Sequence, residues 1–117
     1  MEIEFKKNIS LEDRINQCKN LLKRNPGEIP VILIKEPNCK LVLEKNRFLV
    51  QKNFNVSQFI TLVRANVKIN KETALFFSTD NTTSLLGEKL MGDIYEKYKD
   101  KEDGFLYIIY SCDLAFG

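Results

Sequence analysis

The feature that most constrains this chain is a pair of short strand-like runs, the first rich in β-branched residues, followed at once by a capped helix. Ile29-Pro30-Val31-Ile32-Leu33-Ile34 is one run and Asn46-Arg47-Phe48-Leu49-Val50-Gln51 is the other. Both have the composition of strands, and the link between them holds the turn residues Glu36-Pro37-Asn38. Pro30 has no N–H to give a ladder, so it belongs at the start of its strand or on an edge. Asn55-Val56-Ser57-Gln58 then reads as a capping box, with Asn55 as cap and Gln58 reaching back to it. Val56, Phe59, Ile60, Leu62, Val63 and Val67 follow at helical spacing and form one broad apolar face. A hairpin whose exit runs straight into such a helix buries both apolar faces by laying the helix across the strands.

The flanking segments complete the order. Ser10-Leu11-Glu12-Asp13 starts an earlier helix, with Ser10 as N-cap and acids in the first turn. Leu11, Ile15, Cys18, Leu21 and Leu22 keep its period, and Asn25-Pro26-Gly27 ends it. A short helix around residues 3–7 precedes it. Thr73–Ser78 is a third strand, 85–99 a helix weakened at Gly92, and Phe105–Tyr110 a last strand after the Asp103-Gly104 turn. The order helix, β, β, helix, β, helix, β is that of an α+β ubiquitin-like β-grasp: a four-stranded mixed sheet with an N-terminal helical extension. The expected division is 1–25 for the extension packed on the core, 26–111 for the ubiquitin-like domain, and 112–117 for a flexible tail.

Composition removes several functions. The 117 residues contain no histidine, which excludes Ser-His and Cys-His activation and most zinc sites. There is no phosphate-binding glycine loop, and no pair of carboxylates is marked out as catalytic, so no catalytic residue, metal or cofactor is expected. Cys18, Cys39 and Cys112 are far apart in sequence and form no C-x-x-C pair, so free thiols are expected. No run reaches the length of a membrane span and the N-terminus lacks an apolar signal segment, which places the chain in the cytosol as an expectation. The three N-x-S/T matches are then chance. Net charge is +2, but it is unevenly spread: +1 over residues 1–29, +6 over 30–71 and −5 over 72–117. The basic middle favours acidic partners. A net charge this small and a pI near 8.4 argue against nucleic acid.

The sequence resembles the autophagy ubiquitin-like modifiers, the family of GABA-receptor-associated protein and microtubule-associated light chain three. The resemblance is carried by LEDR at 11–14, IPVI at 29–32, RFLV at 47–50, VSQFITLVR at 56–64, LMGDIYEKYKDKEDGFLYIIYS at 90–111 and the closing Phe116-Gly117. It implies a non-enzyme that an activating and a conjugating enzyme join, through Gly117, to phosphatidylethanolamine. Phe116 would help those enzymes recognise the tail. A glycine suits this chemistry because it leaves no side chain beside the reacting carbonyl. No residue follows Gly117 here. Either the protein is made ready for conjugation or it has been trimmed to a mature form. The family implies a cytoplasmic monomer when free, and an autophagosome or related organelle membrane when lipidated.

A second site concerns Arg47-Phe48-Leu49-Val50. At a sheet edge, the free N–H and C=O groups of this strand would accept an added strand from a peptide. The resemblance places it there, docking cargo receptors and other autophagy proteins through aromatic-x-x-aliphatic motifs. It implies an aromatic-anchor pocket of Leu21, Pro30, Ile32, Leu49 and Phe105 with Arg47 at the rim. An aliphatic-anchor pocket would use Phe48, Val50, Phe54, Phe59 and Leu62. Lys45 and Arg47 would meet acidic flanks of the motif. Taken singly, Phe59, Leu62 and Ile32 also fit as plain core. Glu28, Gln51, Gln17, Asn66 and the 80–87 segment depart from the family pattern, which bears on motif preference. Two other readings keep the same fold: a modifier joined to a protein lysine, and a motif-binding module that is never conjugated.

Overall fold

The computed structural model describes residues 2–80 and 84–113. Two helices open the chain, α1 (Glu4–Asn8) and α2 (Leu11–Arg24). Strands β1 (Glu28–Lys35) and β2 (Arg47–Gln51) follow, then α3 (Val56–Asn66), β3 (Ala74–Ser78), α4 (Met91–Tyr98) and β4 (Leu106–Asp113). The sheet order is β2-β1-β4-β3; β1 pairs parallel with β4, and the two outer pairings are antiparallel. This is the mixed four-stranded sheet expected from the element order.

Strand alternation gives the sheet two apolar faces. Ile29, Val31, Leu33, Phe48, Val50, Leu106 and Ile108 point to the main core, where they meet Val56, Phe59 and Val63 of α3 and Met91 and Ile94 of α4. Phe59 is fully buried, with its ring 5.8 Å from that of Phe48 and 5.4 Å from that of Phe77. On the other face Ile32 and Phe105 meet Phe5 of α1 and Cys18 of α2, with Leu21, Leu22 and Tyr107 around them. The extension is therefore a second helical layer, packed on the sheet face opposite α3 around Ile32 and Phe105.

Pro30 is tolerated inside β1 because of register. The bonds from Leu33 N to Asn46 O and Lys52 N to Gly27 O set the alternation of the β1–β2 ladder. Pro30, opposite Leu49, falls on a pair that needs no N–H toward β2. Pairing with β4 begins one residue later, at Val31.

Both helix caps form as the sequence predicts. Ser10 Oγ accepts from Asp13 N, and Asn55 and Gln58 make the reciprocal capping box. The helix predicted over 85–99 is shorter, beginning only at Met91. Backbone groups of residues 85–89 are used elsewhere: Leu85 N donates to Phe77 O, while Gly87 O and Lys89 O accept from Ser57 N and Val56 N. Those carbonyls satisfy the first donors of α3, which a helix could not do while bonding to itself. Leu86 and Leu90, which keep helical spacing with Ile94, are exposed. Gly92 sits where the backbone of α4 touches Lys52, and a Cβ there would lie 3.0 Å from the Lys52 carbonyl oxygen. At the other end, β4 runs on through Cys112 and Asp113, paired with Leu75 and Ala74. These two residues, assigned from sequence to the flexible tail, belong to the sheet because β3 offers them a partner.

Polar contacts fasten the extension to the 99–105 turn. Arg14 Nε donates to Asp103 Oδ2 at 2.9 Å, and its Nη1 donates to the carbonyls of Ile9 and Lys6. Lys6 Nζ meets Asp100 Oδ2 at 2.6 Å. Burial pushes the Asp100 carboxyl up, but the Lys6 hydrogen bond and the N–H groups of Asp103 and Glu102 outweigh it and hold it below the ordinary value of 3.8. A lowered carboxylate stabilises the fold above its unfolded pKa and loses that contribution as pH falls through its folded one. The stability gap between wild type and Asp100→Asn is therefore expected to be constant above about pH 5 and to close in acid below the usual carboxylate range. Urea unfolding at several pH values checks this, and a gap that stays unchanged down to roughly pH 2 would refute the linkage.

Candidate functional site: a groove at the sheet edge

Among the described residues, β2 has no strand beyond it. In the register above, Phe48 and Val50 direct their N–H and C=O groups at β1, so those of Arg47 and Leu49 face outward. An extended peptide laid along β2 would find that hydrogen-bonding row open.

Beside this edge lies a groove of about 630 Å³ between β2, α2 and the end of α3. Its floor is apolar: Pro30, Ile32 and Phe105 are buried, and Leu21 and Leu49 are half-buried. These five and Arg47, the residues expected around an aromatic anchor, all line it. Phe48 and Leu62 line its continuation toward α3.

The other three residues expected for the aliphatic anchor stand elsewhere. Val50 is 1% exposed and Phe59 is fully buried, and both belong to the main core beneath α3. Phe54 packs half-buried against that core. None of the three lines the groove. The reason is strand parity. Phe48 and Val50 share the core face of β2, while Arg47 and Leu49 share the opposite one. Phe48 reaches the groove at its α3 end while its ring packs edge-on against Phe59.

The rim is basic. Arg47 is exposed, with its guanidinium carbon 4.6 Å from the centre of the Phe5 ring. Lys45 Nζ lies 4.9 Å over the Phe48 ring. Both cations lie over aromatic faces. Glu28, a departure from the family pattern, pairs with Gln51 at the far end of the hairpin and is outside the groove lining. Gln17, Asn20 and Asn66 do line it and supply neutral amides along both helical walls.

Sequence reasoning missed Phe5. It forms one end of the groove, stacks edge-on against Phe105 at 5.1 Å and carries Arg47 on its face. Its only signal was a lone aromatic in a short helix, which does not show that the helix folds back beneath β2. Phe116 and Gly117, the expected tail recognition and conjugation residues, lie outside the described residues.

A mixed sheet crossed by a helix on one face and covered by N-terminal helices on the other, with a groove at its free edge, defines a ubiquitin-like protein. The family model described as "Autophagy protein Atg8 ubiquitin like" matches residues 13–117. Autophagy-related protein 8D of Oryza sativa subsp. japonica is 40% identical over 114 residues, covering 97% of this chain and 96% of its own. Autophagy-related protein 8 of Schizosaccharomyces pombe is 35% identical over 118 residues, covering 100% and 96%. The crystal structure of Trypanosoma brucei ATG8 superposes with a TM-score of 0.89 at 36% identity, covering all of both chains. The chain belongs to the Atg8 family. It is a ubiquitin-like autophagy protein and not an enzyme. Among the described residues, no helix is long and apolar enough to cross a membrane.

Proposed function

We propose that this chain is a modifier conjugated through Gly117 to phosphatidylethanolamine on autophagosome-type membranes, where it docks proteins carrying aromatic-x-x-aliphatic motifs. The observation that carries the docking half is the juxtaposition of an unpaired β2 edge with an apolar groove of about 630 Å³. The edge supplies main-chain pairing. Pro30, Ile32, Leu49 and Phe105 take the aromatic anchor, and Phe48 with Leu62 takes the aliphatic one. Val50, Phe54 and Phe59 act from behind, by holding Phe48 and α3 in place. Lys45 and Arg47 attract acidic flanks of the motif.

Family membership supports the conjugation half, with Phe116-Gly117 falling within the stretch that the family model matches. The partners are then the activating and conjugating enzymes of the cascade, phosphatidylethanolamine as the covalent acceptor, and cargo receptors. The free form is cytoplasmic and monomeric.

The test is the mass of the C-terminal peptide after incubation with ATP, cognate cell extract and phosphatidylethanolamine liposomes. The expected result is a gain equal to the lipid on Gly117. A gain on a protein lysine would transfer the reading to a protein-directed modifier. No adduct, in an extract that lipidates a control, would leave only the motif-binding module.

A further inference from the structure

Cys39 and Cys112 are 73 residues apart in the chain, yet their sulfurs are 2.6 Å apart. That is about half an ångström from the 2.05 Å of a formed bond. The fold creates this pair. Cys112 is on β4 opposite Leu75, and Cys39 closes the turn that follows β1.

The turn is firmly built. Cys39 N donates to Glu36 O, Glu36 N donates to Tyr110 O, and Lys35 Nζ donates to the carbonyls of Glu36, Pro37 and Cys39. Tyr110 Oη donates to Leu41 O and accepts from Leu43 N, so the loop is bound down over the end of β4. Both thiols are therefore carried on ordered backbone, which lowers the cost of bringing them together.

We propose that Cys39 and Cys112 are a thiol modification site that closes to a reversible intramolecular disulfide on reaction with a peroxide. Cys112 is the more exposed sulfur and meets the oxidant first. Its thiolate attacks one peroxide oxygen; the O–O bond breaks, and the departing hydroxide takes up the proton the thiol released. Cys112 becomes a sulfenic acid. The Cys39 sulfur then attacks the Cys112 sulfur and the S–O bond breaks. The hydroxyl leaves as water with the Cys39 proton. Two thiols lose two electrons, and one peroxide becomes two waters. Burial pushes the Cys39 thiol up, with the neighbouring Cys112 adding to it, so Cys39 does not make the first attack.

Cys18 provides the internal contrast. It is 2% exposed on the buried face of α2, beside Tyr95 and Gly104, and is no part of this pair. The disulfide would clip the end of β4 to the 36–46 loop, five residues before Gly117. Slower transfer of the tail is a consequence that rests on the proposed conjugation; the disulfide itself does not.

The experiment uses the full chain, reduced and desalted, treated with a small excess of hydrogen peroxide. Remaining thiols are alkylated in denaturant, and the product is read by intact mass and non-reducing peptide mapping. The expected product is a monomer lighter by about 2 Da before alkylation, with one alkylated cysteine, Cys18, and a linked Cys39–Cys112 peptide. Dithiothreitol restores three reactive thiols, and Cys112→Ser or Cys39→Ser abolishes the link. The oxidised chain should melt roughly 5–15 °C higher, since a long loop is closed. A Cys112 sulfinic acid without the link, a link through Cys18, or a disulfide dimer would each overturn the proposal.

Discussion

Replacing Asp103 with alanine is expected to lower folding stability by about 3–5 kcal/mol, the range for stripping one partner from a buried ion pair. The Asp103 side chain is wholly buried and that of Arg14 is 9% exposed. Asp103 accepts from Arg14 Nε at 2.9 Å, from Tyr107 Oη at 2.6 Å and from Phe105 N at 2.9 Å. Alanine leaves three donors without an acceptor, one of them charged, in a layer between α2 and the sheet. The same carboxylate holds α2 against Phe105, and α2 carries Leu21, Gln17 and Asn20 into the groove. Motif binding should fall with stability. Urea unfolding of Asp103→Ala beside the double variant Arg14→Met/Asp103→Leu separates two causes. The double variant should recover the part due to the stranded charge, while Tyr107 Oη and Phe105 N remain without their acceptor. A single variant within about 0.5 kcal/mol of wild type would show that the pair does not hold the extension.

Leu49→Ala is expected to weaken binding of an aromatic-x-x-aliphatic peptide by roughly thirty-fold, about 2 kcal/mol, with little loss of stability. Leu49 is half-buried and points into the groove from the edge strand, opposite Pro30. Truncation removes apolar contact with the anchor and leaves β2 backbone pairing intact. Phe48→Ala would not be an equally clean probe. Phe48 is 6% exposed and packs on Phe59, so its loss opens the main core and costs about 3–5 kcal/mol. Calorimetric titration with the peptide, alongside thermal unfolding of each variant, checks both statements. Unchanged affinity in a folded Leu49→Ala protein would sink the placement of the anchor.

The groove was legible in part, and the errors have a common origin. Leu49, Phe105, Pro30 and Ile32, expected from family resemblance around an aromatic anchor, do line one groove. Val50 and Phe59 were assigned to the second pocket, yet they lie on the core side of the same strand and helix. Apolar character reports that a side chain leaves water; it does not report what it meets. Phe5 was missed for the same reason. The 85–99 helix was over-extended because Leu86 and Leu90 keep helical spacing, while the backbone they sit on bonds to α3 and β3. The pairing of Cys39 with Cys112 was invisible, since nothing local links two thiols 73 residues apart.

By itself the sequence determined the elements whose signals are local. The Ser10 and Asn55 caps, the stop at Asn25-Pro26-Gly27 and the two short apolar runs each depend on interactions within a few residues. The element order then determined the fold class. Only the tertiary structure decided which face of β2 becomes groove and which becomes core, how far α4 and β4 extend, and which cysteines meet. Those outcomes depend on strand register and on backbone donors that find acceptors on distant elements. Both are satisfied only when the whole sheet is assembled.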